Sequence, residues 1–199
     1  MKIAAALRSL AAALRSLAAV TVLSLFSHSV LASDGCQIIS GTQQVDYGRF
    51  IRDDMRSGKT DVDGIAYQWL AAQTRTFDVT VLCDEPQKIR LFIDGPARKN
   101  TVFRFGQNGA INLKVKNGRM DDRSVQLATG ARGATLTQGA DSQTVKPGFG
   151  IAPFDGQVLT GRQFVVTVEV TTYLSQKAFQ SRDNAQIEEI LNLNFEAQP

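Results

Sequence analysis

Histidine is nearly absent from this chain, and its one occurrence, His28, lies in a stretch that reads as an address and not as part of a fold. Lys2, Arg8 and Arg15 give that stretch a basic start, Ser16 to Phe26 is apolar and uncharged, and Val30-Leu31-Ala32 has the small-residue pattern of a cleavage site. The expectation is a signal peptide over residues 1–32, cut after Ala32, followed by a single domain over 33–199. The 17 residues from Ser16 to Ala32 are marginal for crossing a bilayer and lack a basic stop-transfer flank, which favours cleavage over anchoring. A lipoprotein is excluded by Asp34, which stands where lipidation at Cys36 needs a small or apolar residue. The duplicated AAALRSL at 4–10 and 11–17 reads as repetition within a tolerant segment. With the leader gone no imidazole remains, so Ser-His and Cys-His nucleophile pairs and histidine metal sites have no candidate.

Cysteine is equally scarce. Cys36 and Cys83 are the only two, and in an exported chain the simplest expectation is that they pair. The bond would close a loop worth about 4 kcal/mol by loop entropy. It would also consume both thiols, and no Cys-x-x-Cys spacing supports a redox role. An excess of charge is lacking too: three of the 22 basic residues fall in the leader, leaving 19 basic against 19 acidic. That balance removes the case for nucleic acid or an anionic membrane as a partner.

A few residues invite a sharper reading. Asp121-Asp122 with Asp141 and Asp155 form an acidic set, but nothing fixes their spacing, and surface loops carry such groups routinely. Arg90, Arg98, Lys99 and Arg104 suggest a basic patch for an acidic glycan, with a solvated strand face as the plainer expectation. Trp69 beside Tyr67 suggests stacking on a sugar, whereas a lone tryptophan in a sandwich is more often core. No residue set points to a cofactor, and no enzymatic motif stands out.

What is present is strand periodicity. Cys36 to Ser40 is a short apolar run, and Gln44 to Phe50 alternates. Residues 52–63 are polar and read as a loop with room for a helical turn. Phe77, Val79, Val81 and Cys83 share one face, as do Ile89, Leu91 and Ile93, with Asp84-Glu85-Pro86 read as the turn of a hairpin between them. Asn108-Gly109 and Asn117-Gly118 are tight-turn dipeptides between further short strands. Thr129 to Gly161 is rich in Gly, Thr, Ser and Gln and reads as long loops and edge strands. Phe164 to Tyr173 is the strongest strand, and Ile187 to Phe195 the last, with Glu189 interrupting its apolar face and a short helix over 185–191 as the alternative. Several short strands with few helical stretches predict an all-β antiparallel sandwich.

In the order of its parts the chain resembles the subunits of chaperone-usher pili, nearer their less characterised fimbrial-like branches than the major pilins. The resemblance rests on a first cysteine followed by Val45-Asp46-Tyr47-Gly48, a Phe-x-Val-x-Val-x-Cys strand ending at Cys83, the aliphatic strand Phe164 to Tyr173, and a last strand ending in Phe195. It implies an immunoglobulin-like sandwich lacking its final strand, with an apolar groove completed by a strand from another chain. Ile38, Val45, Leu191, Leu193 and Phe195 are the residues expected at that groove. The partners implied are a periplasmic chaperone, an outer-membrane usher and a neighbouring subunit, with a host glycan or protein as a further ligand. The protein would pass through the periplasm to a cell-surface fimbrium. Only Ser33-Asp34-Gly35 would precede Cys36, too short a donor segment at about 10 Å, so a tip or accessory position is expected. The rival expectation is a self-sufficient periplasmic or secreted sandwich that binds a carbohydrate or protein.

Overall fold

A computed structural model describes residues 35–199 apart from 43, 63–64, 100 and 181–186, and apart from the side chains of 58–68. In chain order the strands are β1 (Cys36–Ser40), β2 (Arg56–Val62), β3 (Ile65–Ala71), β4 (Arg75–Asp94), β5 (Ala97–Arg98), β6 (Val102–Phe105) and β7 (Gly109–Met120). They continue as β8 (Arg123–Ser124), β9 (Gln126–Ala131), β10 (Ser142–Val145), β11 (Phe149–Phe154), β12 (Thr160–Leu174) and β13 (Asn192–Gln198). Short 3-10 turns occupy Arg52–Asp54 and Gln176–Phe179. The pairings are antiparallel, in keeping with the all-β sandwich expected.

The hairpin expected between Phe77 and Ile93 is instead one long strand, β4. Its first half pairs with β1, from Cys36↔Cys83 to Ser40↔Val79, and with β12, from Gln163↔Leu82 to Val170↔Arg75. Its second half pairs with β13, from Gln198↔Lys88 to Asn192↔Asp94, and with β11 through Leu91 and Phe92. Between the halves, Asp84, Glu85 and Pro86 are exposed, and the register against β12 jumps from Leu82 to Gln87. Pro86 has no N–H to give a ladder, so the chain bulges there and changes layer without reversing. The alternation survives the bend, since Val79, Val81, Cys83, Ile89, Leu91 and Ile93 are all buried.

Two layers result. One holds β1, the first half of β4, β12 and β7, and the other holds β13, the second half of β4, β11 and β9. Their facing side chains make one core, in which Phe164, Val166 and Val168 of β12 meet Leu91 and Ile93 of β4 and Leu113 and Val115 of β7. At about 1.5–3 kcal/mol per fully buried aliphatic or aromatic side chain, this alternation is the main favourable term. Along one side the layers are joined by backbone: β10 pairs with β7, and Leu127 and Ala140 exchange hydrogen bonds of 2.8 and 3.0 Å that lead on to β9. Along the other side β1 approaches β13 near the Cys36–Cys83 disulfide, and Cys36, Ile38 and Phe195 pack against the core there.

Other expectations need correction. Within the expected loop of 52–63, Arg52–Asp54 is a 3-10 turn but Arg56–Val62 is a strand, paired with Ile65–Ala71 as the hairpin β2–β3, whose Leu70 and Ala71 pair with β12. Asn117-Gly118 makes no turn; it is a bulge within β7, where Asn117 has φ 54° and the register against β12 shifts between Val165 and Thr167. The reversal comes at Asp121-Asp122, both with positive φ. The region 129–161 contains two well-paired strands, β10 and β11. The last strand begins at Asn192; residues 187–191 are not helical, and 185–186 lie outside the described residues.

Because the disulfide joins β1 to the strand shared by both layers, replacing both cysteines (Cys36→Ala with Cys83→Ala) should remove about 2–5 kcal/mol of stability, read as a lower urea midpoint.

Candidate functional site

The second side of the sandwich does not close along its whole length. Beyond the contact between β1 and β13 the seam opens into a groove of about 1090 Å³ that reaches the core. Its floor is apolar: Phe77 and Ile93 of β4, Phe105 of β6, Ile111 and Leu113 of β7, and Val168, Val170 and Leu174 of β12. These are the inward residues of the same alternation that builds the core. Thr172 is the buried polar residue beneath them.

Two segments form the walls. Residues 44–50 run along one side without pairing in a ladder among the described residues. Val45 and Tyr47 turn inward, and Gly48, at φ +62°, shifts the alternation so that Phe50 faces in and Arg49 faces out. The other wall is residues 187–193, the approach to β13 and its first two positions. One edge of β13 is taken by β4; its other edge pairs with no strand among the described residues.

Single side chains tether these walls. The Tyr47 hydroxyl donates to the Val170 carbonyl at 3.0 Å, its ring stacks on Phe50 at 5.7 Å, and Phe50 meets Phe105 edge-on at 6.0 Å. Glu189, expected as a break in the apolar face, accepts from the Gly106 N–H at 3.1 Å and from Arg104 Nε at 3.3 Å. Burial pushes the Tyr47 phenol above the ordinary tyrosine range, opposed by the Thr172 hydroxyl and the Arg75 charge. The Thr172 hydroxyl lies near enough to act in this way, although it makes no hydrogen bond of good geometry.

Of the residues expected at a groove, Val45, Leu191 and Leu193 line it together. Ile38 and Phe195 do not; they pack on the core at the closed end, where β1 and β13 approach. Reading the sequence missed the floor of β6, β7 and β12 as groove residues, together with Tyr47 and Glu189. The signal for the floor was its alternation, which marks core and groove alike.

The other candidates have structural occupations. Asp121 accepts the N–H groups of Arg162 and Gln163 at 2.9 Å each, and it forms the β7–β8 turn with Asp122. Asp155 sits in the turn after β11, and Asp141 precedes β10. The three arginines of the basic set are engaged within the fold. Arg90 donates to the Ala134 carbonyl, Arg98 to the carbonyls of Gln107 and Gly109, and Arg104 pairs with Glu189. Trp69 is only 3% exposed with Arg98 over its ring, leaving no face for a sugar, and the Tyr67 side chain lies outside the described residues. Among the described residues no helix is long and apolar enough to cross a membrane.

No family profile matches the sequence. It is 28% identical over 109 residues to an uncharacterised protein, YhcE, of Escherichia coli (strain K12), covering 55% of this chain and 56% of that protein. The chain thus aligns with about half the length of that curated relative. The structure is similar to the crystal structure of the P pilus rod subunit PapA, with a TM-score of 0.41 and 12% identity over 82% of this chain and 99% of the other.

Folding raises the Tyr47 pKa, so the folded state holds this proton more tightly than the unfolded one. That contribution is whole below pH 10 and is lost as pH rises through the folded value. Alkaline unfolding above pH 10 should therefore show a component that Tyr47→Phe abolishes; an unchanged pH profile in that variant would refute the assignment.

Proposed function

We propose that this protein is a subunit of a bacterial surface fimbria that is completed by a β-strand from another chain. One observation carries the reading: the free edge of β13 borders an apolar groove open to the core. An unpaired strand edge beside aliphatic side chains templates aggregation unless something covers it. An added strand answers both needs at once, its backbone pairing with the edge and its alternate side chains filling the groove. A self-sufficient sandwich would supply that strand from its own chain along the whole seam.

In this reading residues 1–32 direct export and are removed. A periplasmic chaperone lends the strand first, and a neighbouring subunit replaces it at an outer-membrane usher. The protein acts by assembly, with no catalytic step, as a structural or adhesive element whose further ligand would be a host glycan or protein. Val45, Leu191 and Leu193 contact the incoming strand, while Cys36–Cys83 braces the closed end of the seam.

Co-expression with a cognate periplasmic chaperone should convert an aggregating chain into a soluble one-to-one complex, and Leu193→Asp should prevent that rescue. A protein that stays monodisperse alone and gains no stability from a chaperone or an added strand would overturn the proposal.

A further inference from the structure

Both walls of the groove are held in an unusual way. Neither residues 44–50 nor 187–191 make ladder hydrogen bonds among the described residues, so their position depends on side chains. On the first wall the tether is Tyr47, bonded through its hydroxyl to Val170 and stacked on Phe50. On the second it is Glu189, only 10% exposed, which engages the Gly106 N–H and both Nε and Nη2 of Arg104. Glycines let this second wall lie close to the neighbouring turns. A Cβ on Gly106 would come within 2.9 Å of Ile187 Cγ2, and one on Gly95 would collide with Leu191.

These tethers have a shared property. Each holds its wall by a side chain and leaves the wall's own N–H and C=O groups available for pairing, apart from the Gly48 N–H, which donates to Asp46 Oδ1 at 2.7 Å. A wall released from its tether would be drawn over the apolar floor, because covering that surface removes it from water. An incoming strand would then have to displace it before any ladder formed.

Resting on the reading of this groove as a strand acceptor, we infer that Tyr47 and Glu189 are positioning residues for strand uptake. They hold the two walls over the floor as a preformed slot. Preorganisation of this kind lowers the ordering cost of binding, and where release would require a conformational change it also speeds association. Once a strand has entered, its ladders hold the walls, and the tethers matter less.

The test uses a fluorescein-labelled synthetic peptide of about nine residues alternating valine and threonine, long enough at about 3.3 Å per residue to run past either wall. Its uptake by dilute, freshly refolded protein is followed by anisotropy. Tyr47→Phe and Glu189→Ala should each slow association about tenfold, with dissociation and the melting of the preformed complex close to wild type. Glu189→Gln, which can still accept from Gly106, should recover part of the rate, and Asp155→Asn should match wild type. If Glu189→Ala fails to fold, Arg104→Met removes the same ion pair from the other side and should slow uptake similarly. Variants with a lower melting temperature when free but the wild-type association rate would overturn the inference and leave the strand-acceptor reading intact. A wild-type protein that takes up no peptide would overturn both.

Discussion

A strand that changes layer halfway along its length holds this protein together. Hydrogen bonds from β4 reach β1 and β12 in one layer and β13 and β11 in the other, so the two layers share one continuous backbone. The disulfide is attached to the same strand, at the last inward residue before the bend. The bend itself occurs at Asp84-Glu85-Pro86, where a residue without an N–H interrupts the ladder. The core lies in the fold so created, with Val81 and Leu91 of the same strand contributed from opposite sides.

That arrangement leaves two seams between the layers, and they are treated differently. The seam beside β10 is joined by backbone hydrogen bonds. The seam between β1 and β13 is closed near the disulfide and then parts, exposing the groove. The asymmetry is what the proposed function rests on. Every buried polar backbone group needs a partner, and hydrophobic floor residues need cover. An edge that has neither along part of its length has room for both, which is the ground of the proposal that a strand is supplied from outside.

Much of the fold was legible along the chain. Phe164, Val166, Val168 and Val170 announce β12 because a period of two on a half-buried strand leaves no other reading, and all four are buried. The disulfide followed from a count of two in a chain expected to be exported. The expected hairpin at Asp84-Glu85-Pro86 failed because a turn and a layer-changing bulge draw on the same residues, and only the partners on either side separate them. Asn117-Gly118 misled for a related reason: positive φ serves a bulge as well as a tight turn. Glu189 was read as a fault in an apolar face because its partners, Arg104 and the Gly106 N–H, are more than 80 residues away in sequence.

By itself the sequence determined which side chains face inward and that a single disulfide would link the first strand to Cys83, since alternation and composition are local properties. The expectation of Val45, Leu191 and Leu193 at a groove came from the family resemblance and not from local pattern. Only the tertiary structure decided which inward residues became sealed core and which became the floor of a groove, because that depends on whether a neighbouring strand lies over them. Ile38 and Phe195 share the alternation of the groove residues yet end in the closed part of the seam. What separates them is the approach of β1 to β13, a contact between parts of the chain about 155 residues apart, which no local pattern encodes.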